Sequence, residues 1–508
     1  MGLSIGIDLG TSNSTAAVYR RGKVESIPIE GKKVLPSVVS YKDNGQILVG
    51  HSAKARLYID PQNTVSSSKR FIGDSNKQYH IHNKALTPVD IAQEILKKIK
   101  TEASKYLGEE VKDAVITIPA YFTDEQREAT KKAGELAGFN VQRLLSEPTA
   151  AAIAYGLDKE RNQTIMVYDL GGGTFDVSIL KVEGNSFEVE AVDGDSLLGG
   201  DDFDEKIMNY LLSNVSNGAA ANQMSPGSLS MQRLKEAAEE AKKELSESDF
   251  TDISIPDIFG THIDEEVDVE TFNKMIQPLL ERTINKMNEV LEEADLTKRD
   301  ISRVILVGGS TRMRAVQEAV TQNIKKPYIA DNVDEIVAQG AAIMAANLSA
   351  PSIDAAPVPI EVKDVTAHSL GIGLIHENDE YRVAHLITRN TVIPCTGAEM
   401  VATRYPNQKE VRMVVYRTND TIPLDENQLG ELTLSVTPRE EPVSLVALFE
   451  LDSSGILTFS SAEISEELEL YREYSQTGEI NLRALKEMIE NKELKIKQAT
   501  IDTNKQEA

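Results

Sequence analysis

Ile5-Gly6-Ile7-Asp8-Leu9-Gly10-Thr11 and Met166-Val167-Tyr168-Asp169-Leu170-Gly171-Gly172 share one pattern. Each is a short apolar run, then an aspartate, then a Gly-rich turn with Thr or Ser, then a second apolar run. Self-similarity at this separation predicts two related halves with a ligand between them. A Gly-rich turn brings backbone N–H groups close to the oxygens of a phosphate chain, because glycine tolerates the geometry and the close approach. Gly10-Thr11-Ser12-Asn13 and Gly171-Gly172-Gly173-Thr174 both offer this, with hydroxyls beside the amides. Asp8 and Asp169 then sit at the mouths of the two turns, facing each other, where they can hold a hydrated Mg²⁺. No Gly-Lys-Ser/Thr follows either turn, so the Walker A loop is excluded.

Working outward, residues 1–348 alternate strand-like and helix-like segments. Strands are predicted at Leu3–Asp8, Asp113–Ile118, Thr164–Asp169 and Arg303–Val307, which are short and rich in Ile and Val, as buried α/β strands are. A helix is predicted from Thr87 to Leu107. Thr87 caps it, Pro88 and Asp90 occupy its first turn, Ile91, Ile95, Ile99 and Tyr106 line one side, and Gly108 ends it. A third Gly turn, Val307-Gly308-Gly309-Ser310-Thr311-Arg312, is either an ordinary βα turn or a seat for the adenosine side of a nucleotide. Helix Met231–Leu245 aligns Glu239, Lys242, Lys243 and Ser246 on one face, either solvated or gripping a nucleoside.

Residues 349–360 carry Pro351, Pro357 and Pro359 and form an interdomain linker, with 349–364 as its full extent. Beyond it the period becomes two: Val411, Met413 and Val415 alternate with Arg412, Val414 and Tyr416, and Leu432, Leu434 and Val436 with Thr433, Ser435 and Thr437. Phe449–Leu457 reads as two strands around a tight turn. A small β-domain therefore spans 365–465. The charged remainder, 466–508, is expected to hold a short helix near Leu482–Leu494 and a disordered tip.

The chain has 508 residues, too many for one core. Its net charge of -26 argues against nucleic acid as main partner, because phosphate backbones demand clustered cations. The single cysteine, Cys395, excludes an internal disulfide and a thiolate cluster, as suits a reducing compartment. The N-terminus has no basic n-region, and no run approaches the roughly 18 apolar residues of a membrane span. A cytoplasmic protein with no membrane partner is expected.

These stretches resemble the heat-shock-protein-70 (DnaK-type) chaperones. The similar segments are GIDLGTSNS at 6–14, ITIPAYFTDEQR at 116–127, LLSEPTAAAIAYGL at 144–157, VYDLGGGTFDVSI at 167–179, LGGDDFD at 198–204, MQRLKEAAEEAKKELS at 231–246 and VILVGGSTRM at 304–313, with a weaker likeness in the β-domain. The resemblance implies an α/β, actin-like two-lobed ATPase domain (1–348), a β-sandwich that binds peptide, and a much shortened helical lid. It implies ATP or ADP with Mg²⁺, with K⁺ as a further ion. Asp8 and Asp169 would hold the metal. Lys69, Glu147, Asp169 and Thr174 would be catalytic. Gly199, Gly200, Glu239, Lys242, Lys243, Ser246, Gly308, Gly309, Ser310, Arg312 and Asp334 would line the nucleoside side, and Pro119 and Arg127 would form the interdomain switch. Peptide would meet Ile372, Ile375, Val401, Arg404, Val411 and Met413. Apolar segments of unfolded proteins, a J-domain co-chaperone and a nucleotide-exchange factor are the implied partners. The alternative is an actin-like ATP-state sensor or co-chaperone that binds one specific protein.

Overall fold

A computed structural model describes residues 3–156, 162–214, 228–258, 261–330, 332–349, 359–376 and 379–465 of the chain, and, from the tail, 468, 470–471, 474, 478, 480–490, 494 and 497–500. Two compact units emerge, Met1–Lys363 and Asp364–Ala508.

The first unit contains the same sheet twice. In the first half, strands β1 (Ser4–Leu9), β2 (Asn13–Arg20), β3 (Lys23–Ser26), β4 (Asp113–Ile118) and β5 (Asn140–Ser146) lie in the order β5-β4-β1-β2-β3. In the second, β6 (Gln163–Leu170), β7 (Phe175–Glu183), β8 (Ser186–Asp195), β9 (Arg303–Val307) and β10 (Tyr328–Ile329) lie in the order β10-β9-β6-β7-β8. The directions match as well. The first strand of each half runs parallel to the fourth and antiparallel to the second. The quoted repeat is thus the visible trace of a duplicated topology, and both Asp-Leu-Gly turns join the first strand of a half to its second.

Helices fill the crossovers: α1 (Pro88–Leu107), α2 (Asp124–Leu136) and α3 (Glu147–Gly156) in the first half, and α4 (Gly200–Asn214), α5 (Leu229–Leu245), α6 (Val269–Glu293), α7 (Arg314–Asn323) and α8 (Ile336–Leu348) in the second. Helix α1 starts as its sequence dictates. Thr87 and Asp90 form a reciprocal capping box, and Gly108 closes the helix with φ 76°. Ile91, Ile95 and Ile99 are buried in the core of the first half. Tyr106 departs from expectation: it is exposed on this helix and lies beside the Arg20 guanidinium, because the apolar stripe ends a turn earlier. The second half has its own core on the opposite sheet, from Met166 and Phe175 through α6 to Val320.

The expected linker is only partly described, since 350–358 lie outside the described residues. Glu361, Val362 and Lys363 are not free: they pair in parallel with Ser186, Phe187 and Glu188 at the edge of β8. Alternating charges do not prevent this, because a ladder is made by backbone groups.

The second unit has two four-stranded antiparallel sheets. One runs Tyr381–Ile387, Leu370–Ile375, Glu410–Arg417, Gln428–Ser435. The other runs Cys395–Ala402, Ser444–Leu451, Leu457–Glu463, Lys497–Thr500. Phe449 and Phe459 meet edge to face in the shared core. The expected alternation fails at Met413–Tyr416, where four consecutive residues are buried. Val414 and Tyr416 are covered on the outer face with Val383.

The tail is more ordered than its charge suggested. Helix Leu482–Glu490 buries Leu485 in a second apolar cluster with Val446, Leu448, Ala462, Ile464, Leu470 and Leu494. Lys497–Thr500 then adds a strand antiparallel to Leu457–Glu463, so this part of the expected disordered tip is a strand. Residues 501–508 lie outside the described set. Cys395 is half-buried, and burial pushes its thiol up to about 11, which leaves it protonated and unreactive at neutral pH.

Candidate nucleotide site

The two Asp-Leu-Gly turns open into one cleft of about 660 Å³ in the first unit. Asp8 and Asp169 occupy equivalent register positions. Asp8 pairs with Thr15 on β2 and Thr117 on β4, and Asp169 with Asp176 on β7 and Val307 on β9. Asp8 and Asp169 are the penultimate residues of β1 and β6 and Asp176 the second of β7, so all three sit at the turn ends of their sheets, on elements rigid enough to fix them.

Opposite them stands Lys69, in the short 3-10 helix Ser68–Phe71. Its Nζ lies 2.7 Å from Glu147 Oε1 at the start of α3, and both residues are buried. Phe122 covers it, with its ring centroid 5.4 Å from Nζ. The carboxylates feel this setting. Burial, then the negative charge of Glu147, push Asp8 up to about 7, while Lys69 and a 3.2 Å hydrogen bond donated by Thr117 Oγ1 oppose the rise. Burial and Glu147 also lift Asp176 to about 7. Asp169 is held well above the usual carboxylate range by burial, and then by Glu147, Asp176 and Asp8. Asp8 and Asp169 on the cleft wall and Asp176 beside them are thus three carboxyls raised by burial and by neighbouring carboxylates, a setting that a bound cation would relieve. Among the described residues no three of His, Cys, Asp or Glu form a direct ligand cluster. A cation that keeps its own water, held by two separated aspartates, suits this donor set.

Each turn is fixed by hydrogen bonds to segments of its own half. Gly200 N–H donates to Gly171 O at 2.9 Å and Asp201 N–H to Gly172 O at 2.8 Å. Ser310 Oγ donates to Gly171 O at 2.9 Å. Gly199 has to be glycine: a Cβ there would lie 2.5 Å from Gly173 N. In the first half, Ser37 Oγ donates to Gly10 O at 2.8 Å and Ser37 N–H to Ser12 O at 2.8 Å.

The wall expected to meet a nucleoside is built from α5 and the third Gly turn. Lys242 is buried, donates to Gly200 O at 2.9 Å and pairs with Asp204 at 2.7 Å. Lys243 pairs with Glu239 at 2.8 Å. Glu239, Lys242, Lys243 and Ser246 all line the cleft, with Lys242 buried and Lys243 still exposed to solvent. Arg312 forks onto Asp334 at 3.3 and 2.7 Å, and Thr15 Oγ1 donates to Asp334 O at 3.2 Å, joining the two halves. Gly308 and Gly309 line the same wall, and Gly10, Thr11, Ser12, Asn13 and Thr174 line the cleft around the twin turns. Gly173 and Gly199 lie behind the turn rather than on the wall.

Pro119 and Arg127 do not line the cleft, but they bracket a connector to it. Arg127, buried in the first turn of α2, donates to Phe122 O and Ala120 O, each at 3.2 Å. In the same segment Tyr121 N–H donates to Asp176 Oδ1 at 2.9 Å. Asp176, Thr117, Ser37 and Asp204 were not anticipated from sequence. Only Asp176 had a usable signal, as the cross-strand partner of Asp169.

The six residues expected to meet peptide are scattered in environment. Ile372 and Met413 lie inside the sandwich core, 0% and 3% exposed, and do not line an open surface. Val401 and Val411 pack on that core while partly exposed. Ile375 is exposed, and Arg404 forms an ion pair with Asp379.

The first unit is thus a duplicated α/β fold with twin Gly-rich turns opening into one cleft, and the second is a β-unit. The chain belongs to the Hsp70 family: the family model described as Hsp70 protein matches residues 4–508. Hsp70 proteins are in general ATPases that bind ATP or ADP with Mg²⁺ and serve as ATP-dependent chaperones. No helix among the described residues is long and apolar enough to cross a membrane.

Proposed function

We propose that this chain hydrolyses ATP in the cleft of the first unit and uses the nucleotide state to control binding of exposed apolar segments by the second. The observation that carries this reading is Lys69, buried against Glu147 and beside three carboxyls raised by burial and mutual repulsion. In this reading Asp8 and Asp169 hold a hydrated Mg²⁺, which when bound offsets the negative charge of the phosphates. Gly10–Asn13 and Gly171–Thr174 bind the phosphate oxygens through their amides and hydroxyls. Lys69 stabilises charge developing on the transferred phosphoryl group, and Glu147 fixes Lys69 in place. Asp169 orients the attacking water. Catalysis is then positioning and electrostatics, with no covalent intermediate. Glu239, Lys242, Lys243, Ser246 and Arg312 hold the nucleoside, and Pro119 and Arg127 carry the nucleotide state away from the site. Family-type partners, a J-domain co-chaperone and an exchange factor, belong to this reading. Burial of Ile372 and Met413 favours one narrower alternative, a protein that senses ATP state and binds a single specific partner.

The deciding experiment is ATP turnover with and without a Leu-rich peptide. Stimulation of severalfold is expected, within the 5–150-fold range of ordinary site-to-site coupling, and Val411→Asp should abolish it. Absence of turnover, or absence of any peptide binding, removes the reading.

The raised carboxyls add a pH signature. A group whose pKa is higher in the folded state stabilises the fold below its unfolded value, and that stabilisation fades as pH climbs through the folded value. For Asp8 and Asp176 the window runs from the ordinary carboxylate range up to about 7. The unliganded chain should therefore lose thermal stability between about pH 4 and 7. Mg–ATP binding favours the ionised forms and should release protons at pH 6 but few at pH 8. Calorimetry in two buffers of different ionisation enthalpy measures this; no proton release at pH 6 would contradict the site electrostatics.

A further inference from the structure

We infer that Arg314 braces the two parts of the nucleoside wall against each other, and so sets how tightly the chain holds ATP and ADP without touching either. The inference rests on the nucleotide-binding reading proposed above and adds a positioning residue to it.

The wall has two parts that lie far apart in sequence. One is the end of α5, where Lys242, Lys243 and Ser246 line the cleft. The other is the third Gly turn with the start of α7, where Arg312, Met313 and Gln317 line it. A nucleoside held between them needs both at a fixed spacing. Arg314 is the first residue of α7 and lies behind the cleft wall rather than on it. Its Nη2 donates to Leu245 O at 3.3 Å and to Ser248 O, and its Nη1 donates to Asp249 Oδ1 at 3.0 Å. Leu245 and Arg314 are 69 residues apart in the chain.

The attachment points matter. Leu245 is the last residue of α5, so its carbonyl is one of those a helix leaves without a partner of its own. That carbonyl shares a peptide unit with the nitrogen of Ser246, so the brace grips the backbone of a residue on the cleft wall. At the other end only Met313 separates Arg314 from Arg312. Both anchors are stitched down locally. Gln317 Nε2 donates to Thr311 O at 3.0 Å and to Arg312 O at 3.3 Å, which ties the Gly turn to α7. Ser246 Oγ donates to Lys242 O at 2.9 Å, Ser248 N–H to Glu244 O at 2.7 Å and Val269 N–H to Asp249 O at 2.8 Å.

The placement of charge points the same way. A cation in the first turn of a helix opposes that helix's dipole. Helix α7 has no acidic residue in its first turn and no side-chain cap at Met313, so Arg314 is not placed there for the sake of its own helix. The same cation is favoured at the carbonyl end of α5, which it meets. The ion pair with Asp249 adds little, because that carboxylate is 82% exposed. The carbonyl contacts carry the brace.

The test measures ATP and ADP affinity of the full chain in Mg²⁺ by titration calorimetry, together with single-turnover hydrolysis of bound ATP. Arg314→Ala should raise both dissociation constants by roughly 5–30-fold, a fraction of what hydrogen bonds from a charged donor contribute. ATP and ADP share the nucleoside, so the factor should be the same for both. Arg314→Lys places one compact ammonium where a fork met three acceptors, and should fall between, at roughly 2–5-fold. Hydrolysis of bound ATP should change by less than about 2-fold, since the brace acts on ground state and transition state alike. Parent-like affinity for both nucleotides in Arg314→Ala overturns the brace. So does a loss confined to ATP, which would put the effect at the phosphate end, or a hydrolysis rate that falls as far as affinity does. If Arg314→Ala does not fold, Arg314→Lys decides, and parent-like affinity there overturns the brace. Each of these results leaves nucleotide binding by the parent standing. A parent that binds neither nucleotide overturns the brace and the proposed function together.

Discussion

Lys69→Ala is expected to lower ATP turnover by about 100-fold or more while nucleotide affinity changes far less. Removing one preorganised electrostatic contact to developing charge costs 10²–10³ in related sites. Here the loss should be at the upper end, because the neighbouring groups are buried acids rather than water. Lys69 opposes the raised pKa values of Asp8, Asp169 and Asp176 alike. Without it those carboxyls become harder to ionise, and the phosphoryl group faces unbalanced negative charge. Affinity should largely survive because Arg312 and the α5 wall remain. Single-turnover hydrolysis and equilibrium binding separate the two effects. Lys69→Arg should not rescue, since a planar fork does not replace a compact ammonium between Glu147 and the Phe122 ring. Turnover undiminished in Lys69→Ala would take Lys69 out of the mechanism.

Gly340→Val is expected to give the largest loss of stability. Helix α8 crosses α3 so closely that a Cβ at 340 would lie 1.8 Å from Ala150 O. The obstacle is backbone, which cannot swing aside as a side chain does. Overpacking usually costs 1–3 kcal/mol, and a backbone-on-backbone clash lies at or beyond the top of that range. At roughly 2–4 °C per kcal/mol for a domain of this order of size, a fall in midpoint of at least about 6 °C follows. Differential scanning calorimetry measures it. A midpoint within 2 °C of the parent would show that the helices do not cross as described.

These two positions show what the sequence displayed and what it hid. The twin turns and the Ile/Val-rich strands were legible because their signals are local: glycines, an aspartate and period. Helix α1 was legible at both ends because capping is local too. Lys69 has no local signal and enters only through the family resemblance, because its partner Glu147 is 78 residues away and only the tertiary fold buries the pair. Gly340 sat unnoticed in an Ala-rich helix, since nothing nearby in sequence announces α3. The tail was misjudged for a related reason. Its charge is real, but Leu485 and Leu494 find an apolar sheet face that the tail's own composition does not reveal. Ile372 and Met413 are expected by analogy to meet peptide, and packing buries both in the sandwich core.

The duplicated sheets carry one more consequence. Asp8 closes the central strand of one sheet and Asp169 the central strand of the other. Neither carboxylate can approach or leave its counterpart without turning the sheet that bears it. In the function proposed above, a ligand held by both carboxylates would tie the angle between the two halves to its own length.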